Sequence, residues 1–200
     1  MAISNPTLLD SKPLQNASAL NSASISPSAN ALLIIVHCVL ASSGSGWTDA
    51  VSDSFGANLG DWSSVGVEIA GAATVHMWIH YAQCGATPGS GTVSVDPSDG
   101  IRQIMFVLEL TGHNTTSPVT QYKTYSSDAT PTSPEITLDS SPASGSLVLG
   151  AIVAAARLVQ VTSSPSHLAR LPESSWVTVG LATAAPPAVY PDATISLVSV

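Results

Sequence analysis

Of the 200 residues, 44% are hydrophobic and only 9% are charged. That is enough apolar length for one sizeable core and leaves few groups for acid–base or nucleophilic chemistry. The net charge is −8, and the five cations are scattered at Lys12, Arg102, Lys123, Arg157 and Arg170, so no basic stripe exists to follow a nucleic-acid backbone. Gly and Pro, at 14 each, suit a turn-rich domain and exclude collagen-like or low-complexity chains.

Residues 1–17 hold Ile3, Leu8, Leu9 and Leu14 among polar residues, with prolines at Pro6 and Pro13. They lack the basic and continuous apolar stretches of a secretory signal peptide. Too sparse in apolar residues to fold alone, they read as an extended N-terminal arm. Its leucines and Ile3 are expected to anchor on a neighbouring subunit or on a larger shell protein, and the domain proper is residues 18–200.

Residues 17–28 suit an edge strand ending at Pro27. Residues 31–40 (ALLIIVHCVL) form a long central strand, and 47–51 begin a short one. Residues 63–70 alternate. Residues 74–83 (TVHMWIHYAQ) alternate most clearly, with Val75, Met77, Ile79 and Tyr81 on one face and His76, Trp78 and His80 on the other. A turn at 88–91 (PGSG) precedes a strand at 92–95, and a long run follows at 101–110 (IRQIMFVLEL). Strand-sized runs at 122–125, 135–138, 147–155, 175–182 and 194–200 complete the set. Residues 31–41 and 147–156 are too short for a membrane helix, which needs about 20 apolar residues. A soluble helix stays open for the second, alanine-rich run. About ten short strands with at most one helix give an all-β chain, a sandwich or a barrel by spacing, of which a two-sheet antiparallel β-sandwich is expected. Cys38 and Cys84, both on strand-like runs, read as free buried thiols, with a bridge between them left open by the sequence.

Candidate chemistry is thin. His76, Trp78 and His80 share a strand face. Residues four apart on a strand lie about 13 Å apart at about 3.3 Å per residue, so His76 and His80 do not chelate one metal. Their face reads as half-exposed, suited to another subunit or a sugar ring. Asp49, Asp53, Asp61, Asp96 and Asp99 read as turn formers. Glu109, in an apolar run, is expected to pair with Arg102 or cap a loop. No nucleophile elbow, phosphate loop, dinucleotide fingerprint, Cys-x-x-Cys pair or zinc-protease helix motif is present, so no catalytic residue, cofactor or metal is assigned.

The order of motifs carries a resemblance. The apolar strand ALLIIVHCVL precedes WTDAVSDSFG, with Val51, Asp53, Ser54, Gly56 and Asn58. The aromatic strand leads into Gly91 to Val95; then come Glu109, Gly112, Ser117 and Pro118, and finally Gly145 to Gly150. This pattern, over residues 30–155, resembles a jelly-roll-like β-sandwich module of bacteriophage virion proteins, of capsid decoration (cement) or tail-associated type. Here Ala57 separates Gly56 from Asn58 where that family has Gly and Asn adjacent. The resemblance implies a structural, non-enzymatic protein on the capsid surface of a virion assembled in the bacterial cytoplasm. It also implies the major capsid protein as partner and a homo-oligomer, a trimer, with no contact to nucleic acid or membrane. The alternative is a carbohydrate- or receptor-binding module of a tail fibre or secreted surface protein, using Trp47, Trp62, Trp78 and Tyr81.

Overall fold

Alternation along the long apolar runs becomes the two faces of a single sheet. The computed structural model describes residues 3–4, 6–41, 48–69, 74–98, 102–125, 138–140, 146–154, 167–173, 177–184 and 194–199. At its centre lie β3 (Leu32–Ala41), β6 (Thr74–Gln83) and β8 (Arg102–Leu110), flanked by β1 (Thr7–Gln15) and β5 (Ser63–Ile69). The sheet is antiparallel in the order β1-β8-β3-β6-β5. The register of β3 is unbroken on both sides, Leu32–Ala41 against Gln83–Thr74 and Leu32–Leu40 against Leu110–Arg102.

A three-stranded sheet of β2 (Leu20–Asn21), β7 (Val93–Pro97) and β4 (Asp49–Asp53) faces it, in the order β2-β7-β4. First pairs with eighth, second with seventh and third with sixth, which is the strand order of a long hairpin folded over into a jelly roll. The one departure is β5, which pairs with β6 rather than extending the smaller sheet at β4. The all-β, antiparallel sandwich expected from the sequence is therefore the observed fold.

Both faces of the central sheet are covered, which explains why its strands read as near-continuous apolar runs. Leu33, Ile35, Ala82, Met105 and Val107 pack against Leu20, Ile25, Phe55, Val93 and Val95 inside the jelly roll. On the other face, Leu32, Ile34, Val36, Met77, Ile79, Phe106 and Leu108 meet Leu149 and Ala151. Those two belong to a second five-stranded sheet of β9 (Gln121–Tyr125), β10 (Val148–Ala154), β11 (His167–Glu173), β12 (Val177–Ala184) and β13 (Thr194–Ser199). Its order is β11-β12-β10-β13-β9, with β11 against β1 and β9 against β5. Each fully buried Leu, Ile, Val or Phe contributes about 1.5–3 kcal/mol, so the two clusters dominate stability.

The alanine-rich run 147–155 is strand β10, which closes the helix option. No α-helix occurs among the described residues; Gly56–Asn58 is a single 3-10 turn. Among the described residues there are thirteen strands, where about ten were expected. The unforeseen ones, β1 and β11, are both edge strands, which need pairing on one side only and so carry little apolar alternation. Of the expected strand at 135–138, residues 135–137 lie outside the described residues.

The N-terminal segment is extended, as its prolines require, but it is no detached arm. Residues 7–15 pair with β8 from Thr7↔Glu109 to Gln15↔Gln103, and the register slips between Lys12 and Gln15, around Pro13. A proline is tolerated there because β1 is an edge strand. Ile3 and Leu9 pack against the two apolar clusters, Leu8 is exposed, and the side chain of Leu14 lies outside the described residues. Cys38 and Cys84 are free and buried, one in each cluster. Burial pushes the Cys38 thiol far up; burial and then the Glu109 charge push Cys84 up to about 11, so both stay protonated at neutral pH.

Candidate functional site

Inside the jelly roll, the apolar packing gives way at one end to polar side chains. Along β3, alternate residues Leu33, Ile35 and His37 point into the sandwich. Along β6 the same face carries His76, Trp78, His80 and Ala82; on β8 it carries Gln103, Met105 and Val107. The register sets His37 opposite both Trp78 and Met105, so the two histidine-bearing strands are neighbours. From the facing sheet, β4 sends in Asp49 at its first residue.

His37 Nδ1 lies 2.5 Å and His80 Nε2 2.8 Å from the same oxygen, Asp49 Oδ2. All three side chains are 0% exposed. The far nitrogen of each ring also has a partner. His37 Nε2 is 3.0 Å from Gln103 Oε1, and His80 Nδ1 is 2.7 Å from Ser64 Oγ on β5. Gln103 Nε2 donates to the Ala17 carbonyl, which leaves its Oε1 to accept. His37 Nε2 therefore carries a proton. Burial opposes ionisation of Asp49, yet hydrogen bonds from His37 and His80, and their charge, outweigh it and hold the carboxyl below its usual pKa. The other carboxylate oxygen, Oδ1, is buried and has no hydrogen-bond partner among the described residues.

An aromatic wall closes this end. Trp78 stacks on His76 at 5.3 Å and 10°, and on His37 at 5.9 Å and 25°. Its indole ring lies over Gly66, the residue directly across the strand pair; a Cβ there would meet Trp78 Cδ1 at 2.6 Å.

His76, Trp78 and His80 do share one face, as the period of two requires, but that face is the sandwich interior rather than a half-exposed contact surface. His76 is 1% and Trp78 9% exposed. Nothing in the strand's own pattern reveals which of its faces is covered. His76 and His80 do not converge on one point; His80 instead meets donors from two other strands. Of the other aromatics, Trp62 is half-buried and donates to Asp53 Oδ2, Tyr81 is partly buried against the outer cluster, and Trp47 lies outside the described residues. Among the described residues, Trp62, Trp78 and Tyr81 form no exposed platform for a sugar.

The aspartates divide. Asp53 is a turn former, accepting from Phe55 N, whereas Asp49 is an interior group. Glu109 caps a loop, accepting from Ser28 N and Oγ. The sequence pattern hid His37 and Gln103. Each is a polar residue on the inward side of an otherwise apolar strand, and that parity is the one signal that marks them. Three donors that meet from β3, β4 and β6, all with buried side chains, suit holding a cation or fixing the strands. Comparison with protein-family models, with curated proteins and with solved structures finds no match for this chain.

Proposed function

We propose that the protein is a structural assembly module, a bacteriophage virion protein of the capsid-decoration type that binds and stabilises the major capsid shell as a homotrimer. The observation that carries this reading is the jelly-roll strand order with a filled interior. Jelly rolls recur in viral capsid proteins, and the inference from fold to role is one of analogy. Both faces of the central sheet are spent on packing, so binding falls to the outer surfaces. The chain as a whole is poor in charge and rich in Ser and Thr, which suits many weak contacts multiplied by symmetry. The sequence resemblance over residues 30–155 points the same way. Burial of Trp78 and partial burial of Trp62 and Tyr81 count against the carbohydrate-binding alternative.

The test is location and copy number. Quantitative mass spectrometry of purified particles is expected to find the chain in fixed proportion to the major shell protein. Particles lacking it should lose resistance to heat. A chain absent from particles, or particles equally robust without it, would remove this reading. Light scattering on the purified chain is expected to give a trimer, and a strict monomer that never assembles on shells would count against the oligomer.

A further inference from the structure

We propose that His37, Asp49 and His80 form a structural binding site for one divalent transition-metal ion, zinc foremost, which ties β3, β4 and β6 together inside the jelly roll. The three donor atoms lie within 4.8 Å of one another and come from strands in both sheets of the sandwich. Closing them onto bonds of about 2 Å takes only rotamer-scale movement of a ring and the carboxylate.

Three observations carry the assignment beyond mere proximity. First, each histidine has its far nitrogen held by an outer partner, Gln103 for His37 and Ser64 for His80. That is how ligating imidazoles are oriented and their free lone pair aimed at the ion. Second, the network requires the Nε2 proton on His37, so Nδ1 is the ligating nitrogen. Third, Asp49 Oδ1 is buried without a partner among the described residues, and a bare carboxylate oxygen in a dry interior is costly. A metal ion beside the carboxylate compensates that oxygen.

The donor chemistry selects the ion. Two imidazoles and one carboxylate suit borderline first-row ions such as zinc. Calcium and magnesium prefer all-oxygen sites. No thiolate takes part, since Cys38 faces the opposite side of the sheet, which disfavours copper(I). Complete burial of the ligand side chains makes the role structural.

The experiment is a titration of the full-length chain, stripped with EDTA, first with Zn²⁺ and then with Co²⁺ as the visible probe. One equivalent is expected to bind, to raise the melting temperature and to give the cobalt absorption of a nitrogen–oxygen site. Nitrogen-15 shifts should mark His37 Nδ1 and His80 Nε2 as the bound atoms. Asp49→Asn and His80→Gln should weaken binding by at least about 100-fold, and Ser64→Ala, which removes only an outer hydroxyl, by about 10–100-fold. His76→Gln, on the same face but outside the donor set, should leave affinity unchanged. No saturable binding of Zn²⁺, Co²⁺ or Ni²⁺ at millimolar concentration would overturn the proposal and leave a hydrogen-bonded cluster only. Binding that survives both ligand substitutions would overturn it too. If those variants fail to fold, the wild-type ring-nitrogen shifts decide: metal binding that leaves both nitrogens unchanged overturns the site.

Discussion

At the residue scale, the interior is sensitive to volumes as small as one methyl group. Gly66 is exposed on its strand, yet its place opposite Trp78 leaves no room for a Cβ. Gly66→Ala is expected to push the indole off His37 and His76 and to cost about 1–3 kcal/mol, an overpacking effect. Chemical denaturation of the variant, followed by tryptophan fluorescence, checks this. His113 offers a separate test by pH. Burial lowers its pKa from the ordinary histidine value, while its Nε2 donates to Gln83 Oε1 at 2.5 Å. Folding thus favours the neutral ring, and between the folded value and about 6.5 the unfolded chain binds more protons. The contribution is present above about pH 6.5 and is lost as pH falls toward and through the folded value. Melting curves from pH 7.5 down to about 5 should show wild type losing more stability than His113→Gln. Parallel slopes would exclude His113 as a source.

At the element scale, β1 decides how the N-terminal segment behaves. It is hydrogen-bonded along β8 and brings Leu9 and Ile3 to opposite apolar clusters. Deleting residues 2–16 is therefore expected to destabilise the domain, on the order of 3 kcal/mol from the two apolar side chains alone. It would also bare the edge of β8, an apolar strand with open hydrogen-bonding groups and hence a site for self-association. Urea denaturation and size-exclusion chromatography of the truncated chain check both parts. A truncated chain as stable and monodisperse as the full one would show β1 to be dispensable. This outcome differs from that expected of a free arm, whose loss leaves the folded body intact.

At the scale of the whole molecule, the second five-stranded sheet acts as a cover. Phe106, Leu32, Ile34, Val36 and Met77 would face water without Leu149, Ala151 and the strands beside them. A chain ending at residue 120 keeps every jelly-roll strand but exposes that face. It is expected to bind ANS strongly and to aggregate at concentrations where the full chain remains dispersed. ANS fluorescence equal to that of the full chain would mean that the jelly roll closes its outer face by other means.

What the sequence determines by itself is local. Period-two alternation at 74–83 located β6 residue for residue, and unbroken apolar runs at 31–40 and 101–110 located the strands buried on both faces. Turn residues at Pro88 to Gly91, with Gly89 at φ 71°, placed the bend before β7. The parity of His76, Trp78 and His80 was equally legible, because side-chain direction follows from the strand itself. Which face is covered does not follow from one strand; it depends on what packs across it. For that reason the interior burial of those residues came only with the folded sandwich. The edge strands β1 and β11 were hidden for a related reason, since half-paired strands need no apolar face of their own. The His37–Asp49–His80 cluster was the least legible feature. Its members stand 12 and 31 residues apart in sequence, within an apolar run, among turn-like aspartates and on an aromatic strand. Only the folding of three strands against one another puts them within hydrogen-bonding distance, and no periodicity in the chain encodes a distance across a sandwich.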